Sequence, residues 1–365
     1  MEHRRINPRS PRAALEPEHV PLPTRRSKRA RHPLVVAGNA VLTVFILLAI
    51  GIGAALIVGK QRFEAPGPLV SDKIVHVPRG SIRGIADQLQ HEGVINDAWL
   101  FMAGVFVLKA RGDLKAGEYQ FNKQASLRQV VDTLIEARVV QHPITIPEGL
   151  TSEQIIARLL ESDVLSGNIK EIPREGTLLP DTYNFPRGFP RERVISLMQQ
   201  AHQRLIKEVW ERRSPDLPVK SPEELVVLAS IVEKETGKPE ERSRVASVFV
   251  NRLKRKMRLQ SDPTIIYGLV GGKGSLGRPI LRSEIEQPTP YNTYVIDGLP
   301  PAPIANPGRA SLEAAAKPAR TKELYFVADG SGGHVFSENY EQHLKNVARL
   351  RALEQQSESS APQNP

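Results

Sequence analysis

The 365 residues are too many for one small core, so two or more domains are expected at about 150 residues each. The absence of cysteine excludes a disulfide framework, a thiolate metal site and a cysteine nucleophile. The net charge of +10 implies no nucleic-acid partner once it is located, because nine Arg and Lys against three Glu place +6 of it ahead of residue 34.

From Leu34 to Gly59 run 26 uncharged, mostly aliphatic residues, more than the roughly 20 that cross a bilayer as a helix. The basic tail 1–33 then stays in the cytoplasm by the positive-inside rule, facing lipid headgroups. This predicts a single-pass membrane protein with everything after Lys60 outside the cytoplasm. Residues 60–71 read as a Pro/Gly-containing linker.

Strand-helix units follow. Ile74 to Val77 precedes a Pro-x-Gly turn and an Ile85-Ala86 helix, and Ile144 to Ile146 precedes the same turn and an Ile156-Ala157 helix. A third pair, Gly117 to Phe121 with Leu127 to Leu134, lies between them, and the three predict one small α/β region over 72–165. The overall class is α+β, with a second domain over 166–354 and a polar, disordered tail over 355–365.

Within that second domain, Ser221-Pro222-Glu223-Glu224 supplies an N-cap, a proline at the first helical position and a glutamate placed for a capping box. Gly237 and Pro239 mark the stop. Leu225 to Leu228, Ile231 and Val232 occupy more than one face, so this helix is expected to be buried almost all round. It ends in Glu233 and Glu235, about 200° apart around the axis, so the two cannot share one cleft. A carboxyl group at the wet end of a desolvated helix has a raised pKa, which a general acid needs. The plain alternative is that both glutamates are solvated at a helix end. Gly330-Ser331-Gly332-Gly333-His334 reads as a turn between two strands, with His334 a local hydrogen bonder. Nine scattered histidines form no His-Glu-x-x-His helix, so no metal or other cofactor is expected.

Several motifs in a fixed order then carry a family likeness. They are Glu175 to Tyr183, Leu228 to Thr236, Val245 to Leu253, Leu259 to Thr264, Tyr291 to Tyr294, and Gly298 to Pro301. With the apolar run, they make the chain similar to the endolytic murein transglycosylase family (YceG-like, MltG). The resemblance implies an anchor in the bacterial inner membrane, a LysM-like glycan-binding region over 72–165 and an extracytoplasmic (periplasmic) catalytic domain over 166–354. It implies cleavage of the MurNAc-β-1,4-GlcNAc bond within peptidoglycan glycan strands to leave 1,6-anhydroMurNAc ends, beside peptidoglycan synthases of the elongation or division machinery. One glutamate then serves as acid and afterwards as base. By analogy with the Glu-Ser pair of lysozyme-like transglycosylases, Glu235-Thr236 points to Glu235, with Glu233 open as the alternative. Thr177 and Leu179 are smaller than the aromatic residues expected of the first motif.

Substrate contacts are expected from Tyr183, Tyr291 and Tyr294, which offer rings and hydroxyls, and from Gln260, Asp262 and Asn292, which offer short polar groups. Each has a structural alternative: Asp262-Pro263 is a common turn or N-cap, and 288–294 reads equally as a rigid connection. Two other functions stay open, a noncatalytic glycan-binding scaffold and a water-using muramidase with Asp262 or Asp181 as its second carboxylate.

Overall fold

The computed structural model describes residues 32–360. The basic tail up to residue 31 and the end of the polar tail, 361–365, lie outside the described residues. Helix α1 (Pro33–Glu64) is about 48 Å long at 1.5 Å per residue, and none of it is buried. It overruns the expected end at Gly59, because nothing in Lys60 to Glu64 breaks a helix before Ala65-Pro66-Gly67-Pro68. The linker is correspondingly shorter.

The first module is strand, helix, helix, strand. Strand β1 (Lys73–Val77) leads into α2 (Ile82–His91) and α3 (Ala98–Val107), and β2 (Gly117–Phe121) returns antiparallel to β1 with Val75 opposite Tyr119. Alternate residues Val75, Val77, Tyr119 and Phe121 point inward. They meet Leu89 of α2, Phe101 and Val105 of α3, and Val130 and Leu134 of α4 (Leu127–Ile135) in one core. Ser81, Asp97 and Ser126 each accept a backbone N–H at the start of their helices, and Ser126 completes a capping box with Gln129.

The next unit does not join that core. Strand β3 (His142–Thr145) pairs antiparallel with β5 (Thr182–Phe185), and α5 (Ser152–Glu161) packs Ile155 and Leu159 on Leu178, Phe185 and Met198. Short β4 (Leu165–Ser166) and β6 (Phe189–Pro190) run parallel beside them. The single region expected over 72–165 is therefore divided near residue 140. Two buried cores form because β3 finds its partner some 40 residues downstream rather than on β1, whose partner is β2. Glu118 ties the two units at the surface, 2.5 Å from His142 and 2.5 Å from Arg187.

The remainder is a helical core with a hairpin at its edge: α6 (Arg191–Glu211), α7 (Pro222–Glu235), α8 (Arg242–Lys254), α9 (Asp262–Val270), α10 (Arg282–Ile285), α11 (Arg309–Ala316), β7 (Tyr325–Ala328), β8 (His334–Ser337) and α12 (Tyr340–Ser360). Helix α7 is the centre, packed by α6, α8, α9 and α11, and every residue from Leu225 to Val232 is buried. Removing one of these side chains, as in Leu228→Ala, is expected to cost ~2–5 kcal/mol. Asp329 accepts N–H donors from Ser331 and Gly333 and fixes the β7–β8 turn. Helix α12 continues through Gln355 to Ser360, where a disordered tail was expected, since Ala352 to Gln356 are all strong helix formers.

Candidate active site

The start and stop of α7 decide which carboxyl faces which way. Ser221 accepts from Glu224 N at 3.2 Å, Pro222 occupies the first turn, and the Glu224 carboxylate reaches back to Lys220 N at 2.6 Å, one residue short of a capping box. At the other end Thr236 is extended and the helix stops. Glu235 is thus held in the last turn while its flank is closed by the segment leading into α9.

Ser261 supplies that closure. Its Oγ donates to Glu235 Oε1 at 2.5 Å. Ser261 precedes Asp262-Pro263 and occupies the N-cap position of α9, yet its hydroxyl makes no cap hydrogen bond and is turned onto the carboxyl instead. Its backbone is fixed from behind: Ser261 N donates to Thr293 Oγ1 at 2.9 Å, and Thr264 Oγ1 donates to Ser261 O at 2.6 Å. Burial pushes the Glu235 carboxyl up to about 7; the Ser261 hydrogen bond opposes this and the charge of Asp262 adds to it. The residue as a whole keeps some exposed surface.

Glu233 has the opposite surroundings. Its side chain is 5% exposed, its Oε2 accepts from Gly308 N at 2.8 Å at the start of α11, and its Oε1 lies 3.7 Å from Arg242. Arg242 also reaches Glu148 at 3.2 Å. Burial, with Glu233 beside it, pushes Glu148 up. A carboxylate at a helix N-terminus and beside a guanidinium is a structural tie.

Around Glu235 the structure assembles Asp262, Tyr294 and Gln260. Tyr294 donates its hydroxyl to Asp262 Oδ1 at 2.6 Å, and Asp262 is exposed. Gln260 is exposed and takes a left-handed φ of 48°, which turns the chain sharply into Ser261. Buried Arg252 secures this turn, donating to Leu259 O at 2.8 Å and to Leu324 O at 2.7 Å. His334 meets Glu241 at 2.7 Å through Nδ1, and Thr236 Oγ1 donates to the same carboxylate at 3.4 Å. Thr236 therefore serves the turn after α7 and makes no hydrogen bond to Glu235; Ser261 and Arg252 are the neighbours that linear spacing did not single out, whereas His334 is the local hydrogen bonder expected of its turn.

Three expected contacts fall elsewhere. Asn292 is fully buried; its amide donates to the carbonyls of Ile285 at 2.9 Å and Gln287 at 2.8 Å, and its Oδ1 accepts from Tyr294 N. The expectation that it faces a sugar is corrected, since both ends of the amide hold the 284–294 loop. Tyr183 donates to Leu179 O at 2.8 Å and stacks on Phe185 in the second core; burial pushes its hydroxyl up to about 12. Tyr291 packs on Tyr267, with ring centroids 4.9 Å apart. Both rings line a cavity of about 830 Å³ along α6 and α7 that does not include Glu235. Of the other carboxylates considered, exposed Asp181 accepts from Thr182 N at the start of β5 rather than facing Glu235.

Comparison with known proteins gives a consistent set of relatives. An endolytic murein transglycosylase of Bacillus subtilis strain 168 is 32% identical over 333 residues, covering 80% of this chain and 89% of its own length. One from Streptococcus pneumoniae serotype 2 is 30% identical over 326 residues, and this chain spans 57% of that longer protein. A solved YceG-like protein of Listeria monocytogenes shares 32% identity over 75% of this chain and 98% of its own, with a TM-score of 0.47. The profile of the YceG-like family matches residues 75–349, and on that match the chain belongs to the YceG-like family.

Proposed function

We propose that this chain is a membrane-anchored endolytic murein transglycosylase, as its relatives are named, with Glu235 as its acid and base. The observation that carries the site assignment is the Glu235 carboxyl itself, at the end of a buried helix and hydrogen-bonded by Ser261 at 2.5 Å, with burial pushing it up to about 7. Such a group holds its proton near neutral pH and still releases it readily.

Ser261 occupies Oε1, so Oε2 is the oxygen that carries the proton toward substrate. In the proposed reaction that proton passes to the glycosidic oxygen as the bond from the anomeric carbon of MurNAc to that oxygen breaks. The resulting carboxylate takes the proton of the same sugar's 6-hydroxyl, whose oxygen closes on the anomeric carbon to give the 1,6-anhydro end. One carboxyl suffices because the nucleophile is internal. Gln260, Asp262 and Tyr294 are the groups placed to meet the sugar. The module from β1 to β2 is assigned a LysM-like role in holding the glycan strand, and α1 the role of single-pass anchor with its basic flank in the cytoplasm. Synthases of the wall are its expected neighbours.

The test is mass spectrometry of glycan strands digested by the detergent-solubilised full chain. Anhydro ends are expected. Reducing ends would instead favour a muramidase using Asp262, the exposed carboxylate beside Glu235, and uncut strands would leave a glycan-binding scaffold.

A further inference from the structure

Helix α3 is apolar on every side: Ala98 to Val107 contains no charged residue. One stripe, Ala98, Phe101 and Val105, enters the core of the first module. A second stripe faces outward, with Trp99 76% exposed, Phe106 65% and Val107 75%. Positions 99, 103, 106 and 107 follow helical spacing, so the exposed apolar surface is continuous. A face of this kind on a small water-soluble module needs a partner.

Its position names that partner. Helix α3 lies against the final turns of α1, so closely that a Cβ on Gly104 would sit 2.2 Å from the Phe63 ring. A crevice of about 380 Å³ between the two helices is lined by Ala55 and Leu56 from α1 and by Ala103 and Val107 from α3. Ala55 and Leu56 belong to the apolar run expected to cross the bilayer, which puts α3 level with the end of that run. Basic residues surround the face: Lys60 and Arg62 on α1, Lys109 and Arg111 after α3, against Glu64 and Asp113. The Arg111 guanidinium lies 5.5 Å from the centroid of Phe106.

We propose that α3 is an interfacial helix, seated with Trp99, Phe106 and Val107 in the headgroup and upper acyl region of the bilayer that α1 crosses, its basic rim on anionic phospholipid. Tryptophan and flanking cations are the side chains that such an interface favours. The proposal rests on the reading of α1 as an anchor. It gives the ectodomain two attachments to the membrane, which fixes its tilt as one attachment cannot.

The chain has two tryptophans, so Trp210→Phe leaves Trp99 as the only indole. The full chain carrying that substitution is reconstituted in phosphatidylcholine–phosphatidylglycerol vesicles with plain or brominated acyl chains, the bromines near the headgroup. Trp99 emission is expected to fall severalfold in brominated vesicles and to resist iodide in plain ones. Equal emission in both vesicle types, with iodide reaching Trp99, overturns the proposal. Alkaline carbonate extraction separates the two readings: a protein retained in the vesicles but unquenched sinks the interfacial helix alone, and a protein released sinks both. If Trp210→Phe fails to fold, the wild-type chain serves, because Trp210 lies in the cavity beside α6 and only the Trp99 share of emission is open to lipid bromine.

Discussion

The two flanks of the last turn of α7 carry the same side chain and have been put to different uses. On one flank Glu233 meets a helix start and a guanidinium. On the other, burial and the nearby Asp262 charge favour the neutral Glu235 acid, against the opposing hydrogen bond from Ser261. The difference comes from helical phase: two residues of separation turn one carboxyl toward α11 and the other toward α9. Residue type at a helix end says little about chemistry until the elements packed on each flank are known.

The widest gap between the flanks is expected in catalysis. Glu235→Gln should lower the rate of anhydro-product release by about 10³-fold, the scale of a lost general acid. Stability should move the other way. Burial pushes the folded carboxyl up to about 7 from an ordinary value of 4.5, so wild-type stability is full below the lower value and declines as pH rises through the higher one. The amide has no such decline, and at pH 8 the variant should be more stable by on the order of 2 kcal/mol, with no gain at pH 4. Thermal melts at the two pH values check this; equal melts at pH 8 would show that folding does not raise the Glu235 carboxyl above its ordinary value. Glu233→Ala is the mirror experiment. It removes one of the two carboxylates that Arg242 meets, leaving Glu148, and frees the start of α11, so a loss of ~2 kcal/mol is expected while the folded fraction keeps its turnover within a few-fold. Loss of turnover with unchanged stability would exchange the two roles.

What could be read in advance follows a physical line. The ends of α7 and the β7–β8 turn were legible because Ser221-Pro222 and Gly330 to Gly333 act locally, through caps and turn geometry. The apolar run of α1 was legible for the same reason. The division between the first two cores was not, because β3 pairs with a strand some 40 residues away and its own residues do not encode that choice. Asn292 and Ser261 are instructive. A fully buried amide bonded to three carbonyls has the same one-letter signature as one in a cleft, and Ser261 has no signal of its own until the fold turns its hydroxyl onto a carboxyl 26 residues earlier.

Smaller effects test how Glu235 is tuned. Ser261→Ala removes a donor to the charged form, so the alkaline limb of the pH–rate profile should move upward, with a loss of about 10-fold in rate from the misplaced acid. An alkaline limb that stays in place would mean that the hydroxyl positions the carboxyl without adjusting its charge.

Asp262→Asn acts on the same limb in the opposite direction. The Asp262 charge raises the Glu235 pKa, and its loss lets the carboxyl ionise earlier, moving the alkaline limb downward by less than about one pH unit. Because Asp262 also accepts from Tyr294, the asparagine keeps a partner for that hydroxyl and the local fold should survive. The rate at pH 5 should stay within a few-fold, since in the proposed reaction the 6-hydroxyl, rather than an activated water, attacks the anomeric carbon. A muramidase would behave otherwise: with Asp262 as its second carboxylate, the same substitution would remove most activity at every pH. The product ends and the pH profile of this one variant therefore decide whether Asp262 tunes the acid or shares the chemistry.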